Sequence, residues 1–409
     1  MGEAWIIDGV RSPRGKGKSN GSLHNVHPQE LLAQVLNALR SRVGFDAADV
    51  DDVIVGNGNP AGDHANCIAR MAVLAAGWPV EAPGVTLNRF CGSGQQAVTF
   101  AAMGIQAGHQ HLVVGGGVES MSRWPSDTGV VDFTANNPAL REQFPLVPQG
   151  ISADLIATVE GFTRDDVDQF ALRSQQRAAV AIDEDRFGRS VVPIANPDGS
   201  VALDRDEFPR PSTTLDGLAK LEPSFVGLGT TRFDGYTETF DEMAERTYPG
   251  IASVQHVHHA GNSSGVVDGA SAMLVASPEF ATAHGLTPRA RIVMSAVAGA
   301  EPVIMLTAPG PASQKCLERA GMTVDDIDLW EINEAFAAVP LKTMRDLGVD
   351  HEKVNVNGGA IALGHPIGAT GAILIQTVLD ELERRDLSTA LVTMCTGGGM
   401  GTATIIERV

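Results

Sequence analysis

The stretch DAADVDDVIVGNGN, residues 46–59, is echoed near the other end of the chain by MTVDDIDLWEINEA, residues 322–335. Each begins with an acidic cap, runs into a short apolar strand and ends on an asparagine, Asn57 in the first and Asn333 in the second. Cys91, in CGSGQQAV, opens a glycine-flanked helix start 34 positions after Asn57; His365, in GHPIGATGA, does so 32 positions after Asn333. An apolar strand ending in glycines follows in both places, HLVVGGG at 111–117 and ALVTMCTGGG at 390–399. Three features repeated in one order indicate an internal duplication. Alternating strands and helices argue for an α/β architecture, a mostly parallel sheet covered by helices. Two such halves related by a pseudo-twofold axis would turn their strand ends and helix starts toward a shared cleft.

Outward from the repeat, Pro28 opens a helix with an apolar stripe at Leu32, Val35, Leu36, Leu39 and Val43, and another helix is expected around 68–76. Residues 121–260 differ in character, with many prolines and acidic stretches. They hold one strong amphipathic helix, capped by Thr163 and Asp166 and striped by Val167, Phe170, Ala171, Ala178, Ala181 and Ile182. Residues 226–258 have weak periodicity and read as a partly ordered flap. The expected organisation is an N-terminal half over 1–120, completed by 261–288, an inserted loop domain over 121–260 lying across the cleft, and a C-terminal half over 289–409.

With 43% hydrophobic and 19% charged residues among 409, the composition is that of a soluble globular chain large enough for two or three domains. A formal net charge of −19 disfavours nucleic acid and anionic membrane surfaces as partners. No apolar run is long enough to cross a bilayer, and the N-terminus enters a strand directly without a secretory leader, so a cytoplasmic location is expected. The four cysteines, Cys67, Cys91, Cys316 and Cys395, form no C-x-x-C pair, so no metal site is expected.

Two of those cysteines stand where chemistry is done. Cys91, in NRFCGSGQQAV (88–98), lies between a strand through Thr86 and a helix over 95–106 with apolar positions at Val98, Ala102 and Ile105. The positive end of that helix dipole favours thiolate, and such sites bring a thiol pKa down to roughly 3.5–7.5. Cys395 ends a strand before three glycines, whose N–H groups are free to face an oxyanion. His365, between Gly364 and Pro366, supplies a base for a nucleophilic thiol. Ligands of open α/β sheets bind outside the carboxyl ends of the strands, where all these residues fall.

These blocks, from DGVRSP at 8–13 to GGGMGTATI at 397–405, with CGSG, NEAF and GGAIALGHPIGATGA between, resemble the thiolase family. The resemblance implies a duplicated five-layered α/β/α/β/α fold with an inserted loop domain. It also implies 3-ketoacyl-CoA thiolase or acetyl-CoA acetyltransferase activity in a homodimer or homotetramer. Carried onto this chain, it makes Cys91 the acylated nucleophile, His365 its activator and Cys395 the acid/base at the acetyl-CoA α-carbon. Asn333, through a water, and His365 would form one oxyanion hole, and the N–H groups of Cys91 and Gly397 the other. Coenzyme A would be a substrate, with no permanently bound cofactor.

HAGNSSGVVDGAS (259–271) resembles the family's CoA-binding segment, placing Ser264 on the pantetheine arm; Met305 matches a position beside the acyl group. The chain departs from the pattern at Pro148 and Gln149, at Leu306 after Met305, and at Glu222 where many members carry arginine, although Lys220 stays near the CoA phosphates. The likeness is closest to thiolase subunits of bacterial fatty-acid oxidation complexes, which implies thiolytic breakdown of 3-ketoacyl-CoA and a possible hydratase/dehydrogenase partner. The alternatives are an acetoacetyl-CoA-specific acetyltransferase and, from another class, a non-catalytic acyl-CoA binder or scaffold subunit. Ketoacyl synthases share the fold but would be expected to lack CTGGG.

Overall fold

In the computed structural model, which describes residues 2–124 and 132–409, the duplication is visible strand by strand. The N-terminal half runs β1 (Trp5–Arg11), α1 (Pro28–Val43), β2 (Asp52–Gly56), α2 (Ile68–Ala75), β3 (Val85–Leu87), α3 (Ser93–Gln106) and β4 (Leu112–Ser120). Pro28 sits in the first turn of α1, where its missing N–H goes unneeded, and Gly44 closes the helix in the left-handed region at φ 79°. The intervening region contributes α4 (Gln149–Glu160), α5 (Arg164–Asp183) and α6 (Phe240–Thr247), after which β5 (Val267–Ala276) returns to the first half. The C-terminal half follows as β6 (Ala290–Gly299), α7 (Pro309–Ala320), β7 (Leu329–Ile332), α8 (Ala338–Leu347), α9 (Thr370–Arg385), β8 (Thr389–Thr396) and β9 (Met400–Arg408).

The strands join into one sheet in the order β7-β8-β9-β6-β1-β5-β4-β2-β3. Its two halves meet only where Trp5 and Ile6 pair with Arg291 and Ala290. The sheet is mixed rather than mostly parallel: in each half two strands run parallel, β2 with β4 and β7 with β8, and antiparallel partners follow. Even β3 has a counterpart, the isolated parallel bridge between Trp330 and Val354. Helices α1 and α2 cover the outer face of the first half with a core of Leu31, Leu36, Val53, Val73 and Leu274. The inner helices α3 and α9 share one core, in which Val98 and Ile105 meet Ile375 and Leu379 between Met273 of one half and Val392 of the other. Polar side chains tie these layers across the duplication. The Gln95 amide of α3 donates to Val392 O (2.9 Å) and Thr404 Oγ1 (2.8 Å), and the Gln376 amide of α9 donates to Gly9 O.

The inserted region packs on the C-terminal half, where Ile151, Phe170, Phe240 and Met243 join a core with Trp330, Val339 and Met344. The capping box on α5 is formed as expected, Thr163 and Asp166 each bonding the other's backbone. Its stripe is one residue shorter than expected: Val167, Phe170, Ala171, Ala178 and Ala181 are buried, but Ile182 is 42% exposed at the last turn. Residues 226–258 are not a partly ordered flap. They carry α6, capped by a Thr–Glu box (Thr239, Glu242), and bury Phe233, Val254 and Val257. His256 fastens their end by bridging Asp154 (2.8 Å) and Asp241 (3.1 Å). Among the described residues no helix is long and apolar enough to cross a membrane.

Candidate active site

The bend before α3 is held by its own side chains. Asn88 Oδ1 accepts from Phe90 N (2.7 Å), while Ser93 Oγ accepts from Arg89 N (2.8 Å) and donates to Phe90 O (2.6 Å). This forces Phe90 into the left-handed region at φ 49°, costly for a bulky residue and tolerated where surrounding contacts fix it. Cys91 follows and faces the cavity. The flanking glycines do more than remove bulk around the sulfur: they admit the other half of the molecule. A Cβ on Gly92 would meet Thr396 and Thr402 at 2.9 and 3.0 Å, and one on Gly94 would lie 2.6 Å from Gly368 O. The end of β8, with Cys395, and the loop that carries His365 can therefore close on Cys91.

His365 lies five residues before α9 rather than at its first turn. Its backbone N–H bonds Gly265 O (2.9 Å). Thr370 Oγ1 donates to Pro366 O (2.8 Å), so it accepts from His365 Nδ1–H at 2.6 Å. That arrangement leaves Nε2 unprotonated, with Asn333 Nδ2 3.4 Å away. Asn333 Oδ1 is buried without a partner, so one acceptor at the site is free.

Burial sets the protonation states. Desolvation pushes the Cys91 thiol up to about 11, opposed by its own backbone, the Gln149 side chain and the Gly397 N–H, all of which favour the thiolate. The Cys395 thiol is likewise raised well above its ordinary value, by burial first and then by Cys91 beside it. Burial, with the Arg14 guanidinium, brings His365 down to about 3. The low thiol pKa expected from the helix terminus is thus corrected: the enclosing layers outweigh the dipole, and at neutral pH the site holds two thiols and a neutral imidazole.

Cys91 and His365 line one cavity of about 710 Å³. Residues of 263–266 with Ala335 and Phe336 form one part of its wall, tied together by Ser264 N donating to Ala335 O (2.9 Å), and Phe225 stacks edge-on to Phe336. Asn59, Pro60, Phe90, Met121, Trp124, Asp132, Phe133 and Ile367 form another. Ser264 therefore lines the same cavity as Cys91 and His365. Asn333, Gly397 and Cys395 lie behind the wall, in contact with residues that form it. Met305 is not in the wall: it is fully buried in the core at φ 56°. Lys220 is exposed on the turn after a short helix, outside both this cavity and the neighbouring groove of Arg210, Ser212, Thr213 and Thr214.

Glu119 escaped the sequence reading. It is fully buried, and its oxygens accept from Gly58 N (2.7 Å), Gly368 N (2.9 Å), Asn57 Nδ2 (3.2 Å) and Trp124 Nε1 (3.2 Å), pinning the His365 loop to the first half. Desolvation lifts its carboxyl to about 7. The strand registers explain its position. Gly56 pairs with Gly117 and Ile332 with Thr393, so Glu119 occupies in the first half the place Cys395 holds in the second. Likewise Cys91 and Gly368 each stand two residues before an inner helix. The duplication thus yields two equivalent junctions, one pairing Cys91 with Cys395 and the other Gly368 with Glu119.

A duplicated sheet with two thiols and an imidazole brought together from its two halves defines the architecture of a thiol-dependent acyl-transfer enzyme. Family models agree: residues 4–235 match the thiolase N-terminal domain and 286–408 the thiolase C-terminal domain. Over its full length the chain is 41% identical to a β-ketoadipyl-CoA thiolase of Acinetobacter baylyi and 43% identical to a 3-oxoadipyl-CoA/3-oxo-5,6-dehydrosuberyl-CoA thiolase of Escherichia coli, covering 100% of both. The crystal structure of the acetyl-CoA acetyltransferase of Bacillus anthracis, 37% identical, superposes with a TM-score of 0.83 over 100% of this chain and 99% of that one. The chain belongs to the thiolase family. It is an acyltransferase of CoA thioesters, with coenzyme A as a substrate.

Proposed function

We propose that the chain degrades 3-ketoacyl-CoA by thiolysis through an acyl-Cys91 intermediate. The observation that carries this reading is the convergence of Cys91, Cys395 and an Nδ1-protonated His365 from opposite halves onto one junction. Cys91 passes its proton to His365 Nε2 and attacks the C3 keto carbon. The C2–C3 bond breaks, and Cys395 protonates the departing acetyl-CoA enolate; the imidazolium proton then restores the Cys395 thiol. In the second half, coenzyme A gives its thiol proton to His365 and attacks the acyl-Cys91 thioester. Cys91 leaves with that proton, and the product is an acyl-CoA two carbons shorter. The newly formed Nε2–H, with water on Asn333, faces one oxyanion. The N–H groups of Cys91 and Gly397 serve the other, where removing a single donor typically costs about 10²–10³ in rate.

A second reading, acetoacetyl-CoA-specific acetyltransfer, draws support from the likeness to the Bacillus anthracis acetyl-CoA acetyltransferase. Fatty-acid breakdown rests on the sequence resemblance alone, since the relatives are named for adipyl-type 3-ketoacyl-CoA and for acetyl-CoA acetyltransfer. CoA-dependent cleavage measured on 3-ketoacyl-CoA of four to sixteen carbons tests the proposal. Activity on chains beyond four carbons, abolished in Cys91→Ala, is expected. Activity confined to acetoacetyl-CoA would favour the second reading, and robust turnover by Cys91→Ala would remove Cys91 as the nucleophile.

A further inference from the structure

Gln149, one of the positions at which the chain departs from the thiolase pattern, is the first residue of α4 and lines the cavity with Cys91. The start of that helix is held firmly. Val147 before it is fully buried, and Ser152 Oγ donates to Val303 O (2.7 Å). A Cβ on Gly150 would lie 2.4 Å from the Phe225 ring, so that ring rests against the helix start next to Gln149. The wall that the Gln149 amide joins is rich in rings, with Phe90, Phe133, Phe225 and Phe336. Of the polar groups there, Asn88 is committed at both ends, to Phe90 N (2.7 Å) and Gly58 O (3.2 Å), and Asp132 is bound to Arg141 (2.7 Å).

The proposed reaction puts negative charge on the Cys91 sulfur twice, when the thiol is deprotonated for attack and when it leaves the acyl group. Among the described residues lining the cavity there is no lysine or arginine, so neutral donors must meet that charge. An uncompensated buried charge is costly, and an N–H bonded to a charged acceptor is about twice as strong as one bonded to a neutral acceptor. The backbone at Cys91 and the Gly397 N–H favour the thiolate in the free enzyme, and so does the Gln149 side chain. Once substrate is bound, the two backbone N–H groups turn to the oxyanion. The Gln149 amide is the donor of the three that stays with the sulfur.

We propose that Gln149 is a further catalytic residue of this enzyme, its side-chain amide donating to the Cys91 sulfur whenever that atom carries charge. The amide keeps both of its hydrogens throughout: the Cys91 proton still passes to His365 Nε2 and returns from it. The assignment rests on the proposed thiolysis for its place in the reaction, while its effect on the free thiol does not depend on that reading.

Gln149→Met keeps the length of the side chain and removes the donor. Rapid-quench measurement of acyl-Cys91 formed from 3-oxohexanoyl-CoA should show acylation slowed by about tenfold or more. Affinity for the unreactive thioether S-butyl-CoA should stay within about twofold of wild type. In the free variant, alkylation by iodoacetamide should be slower by about threefold at every pH from 6 to 9, because a tenfold loss of thiolate is partly offset by a more nucleophilic sulfur. Gln149→Glu gives a second readout, since an ionised carboxylate opposes the thiolate and a protonated one restores a donor. Its acylation rate relative to wild type should rise as pH falls from 8 to 5; Cys395, His365, Glu119 and Asp132, the titratable groups around the sulfur and the cavity, are common to both proteins. Wild-type acylation and alkylation in Gln149→Met would overturn the assignment. So would a loss confined to thioether affinity, or a ratio in Gln149→Glu that ignores pH. Slower alkylation of Gln149→Met, with no acyl-Cys91 formed by the wild-type protein from any 3-ketoacyl-CoA, would defeat the thiolysis reading and leave Gln149 assigned as the donor to the sulfur.

Discussion

Replacing Thr370 with valine keeps the shape of the side chain and removes one hydroxyl from beneath His365. In the wild-type protein that hydroxyl donates to Pro366 O and accepts from Nδ1–H, which fixes the imidazole with its lone pair on Nε2. His365 is 4% exposed and Thr370 1%, so water cannot replace the lost partner. A buried donor left without an acceptor costs about 1–3 kcal/mol. Because that cost falls on the tautomer needed to take the Cys91 proton, it translates into acylation slowed by about 5- to 150-fold. Thr370 does not line the cavity, so affinity for the CoA ester should hold. Rapid-quench measurement of acyl-Cys91 by intact mass reads the step directly, and Thr370→Ser, which restores the hydroxyl, should recover most of the rate. A valine variant that acylates as fast as wild type, with the same pH dependence, would refute the tautomer argument.

Other perturbations follow from the same geometry. Cys395→Ala should still be acylated at Cys91 by an activated donor yet lose exchange of the acetyl-CoA α-protons by several orders of magnitude, read by deuterium incorporation; normal exchange would move the acid/base role elsewhere. With Cys91 pushed up to about 11, its alkylation by iodoacetamide in the free enzyme should climb about tenfold per pH unit from 6 to 9. A plateau reached near neutral pH would instead reveal a thiolate–imidazolium pair. His256, raised to about 9 by its bonds to Asp154 and Asp241, contributes stability that is complete below about 6.5 and is lost as pH rises through 9. The protection factors of residues 240–258, exchange rates corrected for the intrinsic rate at each pH, should therefore fall across that range in wild type, and a His256→Gln variant should show no such fall.

What the sequence disclosed was whatever repeats or has a period. The pairing of Asn57 with Asn333, the strand into Cys91 and the helix after it could be read locally, and that helix begins two residues earlier than its apolar spacing suggested. Residues 226–258 defeated this reading because Phe233, Phe240, Val254 and Val257 are buried by complementary surfaces elsewhere in the chain, which leave no period behind. Ile182 failed for the opposite reason: its spacing was right, but the surface that buries the stripe reaches Ala181 and not Ile182. The state of Cys91 was misjudged because a helix terminus is a local feature and desolvation is a property of all the layers around it. Gln149 had stood out only as a departure from the family pattern and lines the cavity with Cys91, where its side chain acts to lower the thiol's pKa. Thr370 and Glu119 gave no local signal beyond being polar residues in an apolar helix start and strand.

The Gly368–Glu119 junction bears on why the two halves must differ. Two copies of the first half alone, assembled around the same axis, would set a Cys91 against a Glu119 at both junctions. Two copies of the second would set a Gly368 against a Cys395. Neither symmetric pair holds both thiols at one junction, and only one of them holds the imidazole. The proposed reaction therefore needs unlike halves joined in one polypeptide, in which the Glu119 junction fastens the loop that carries His365 beside Cys91.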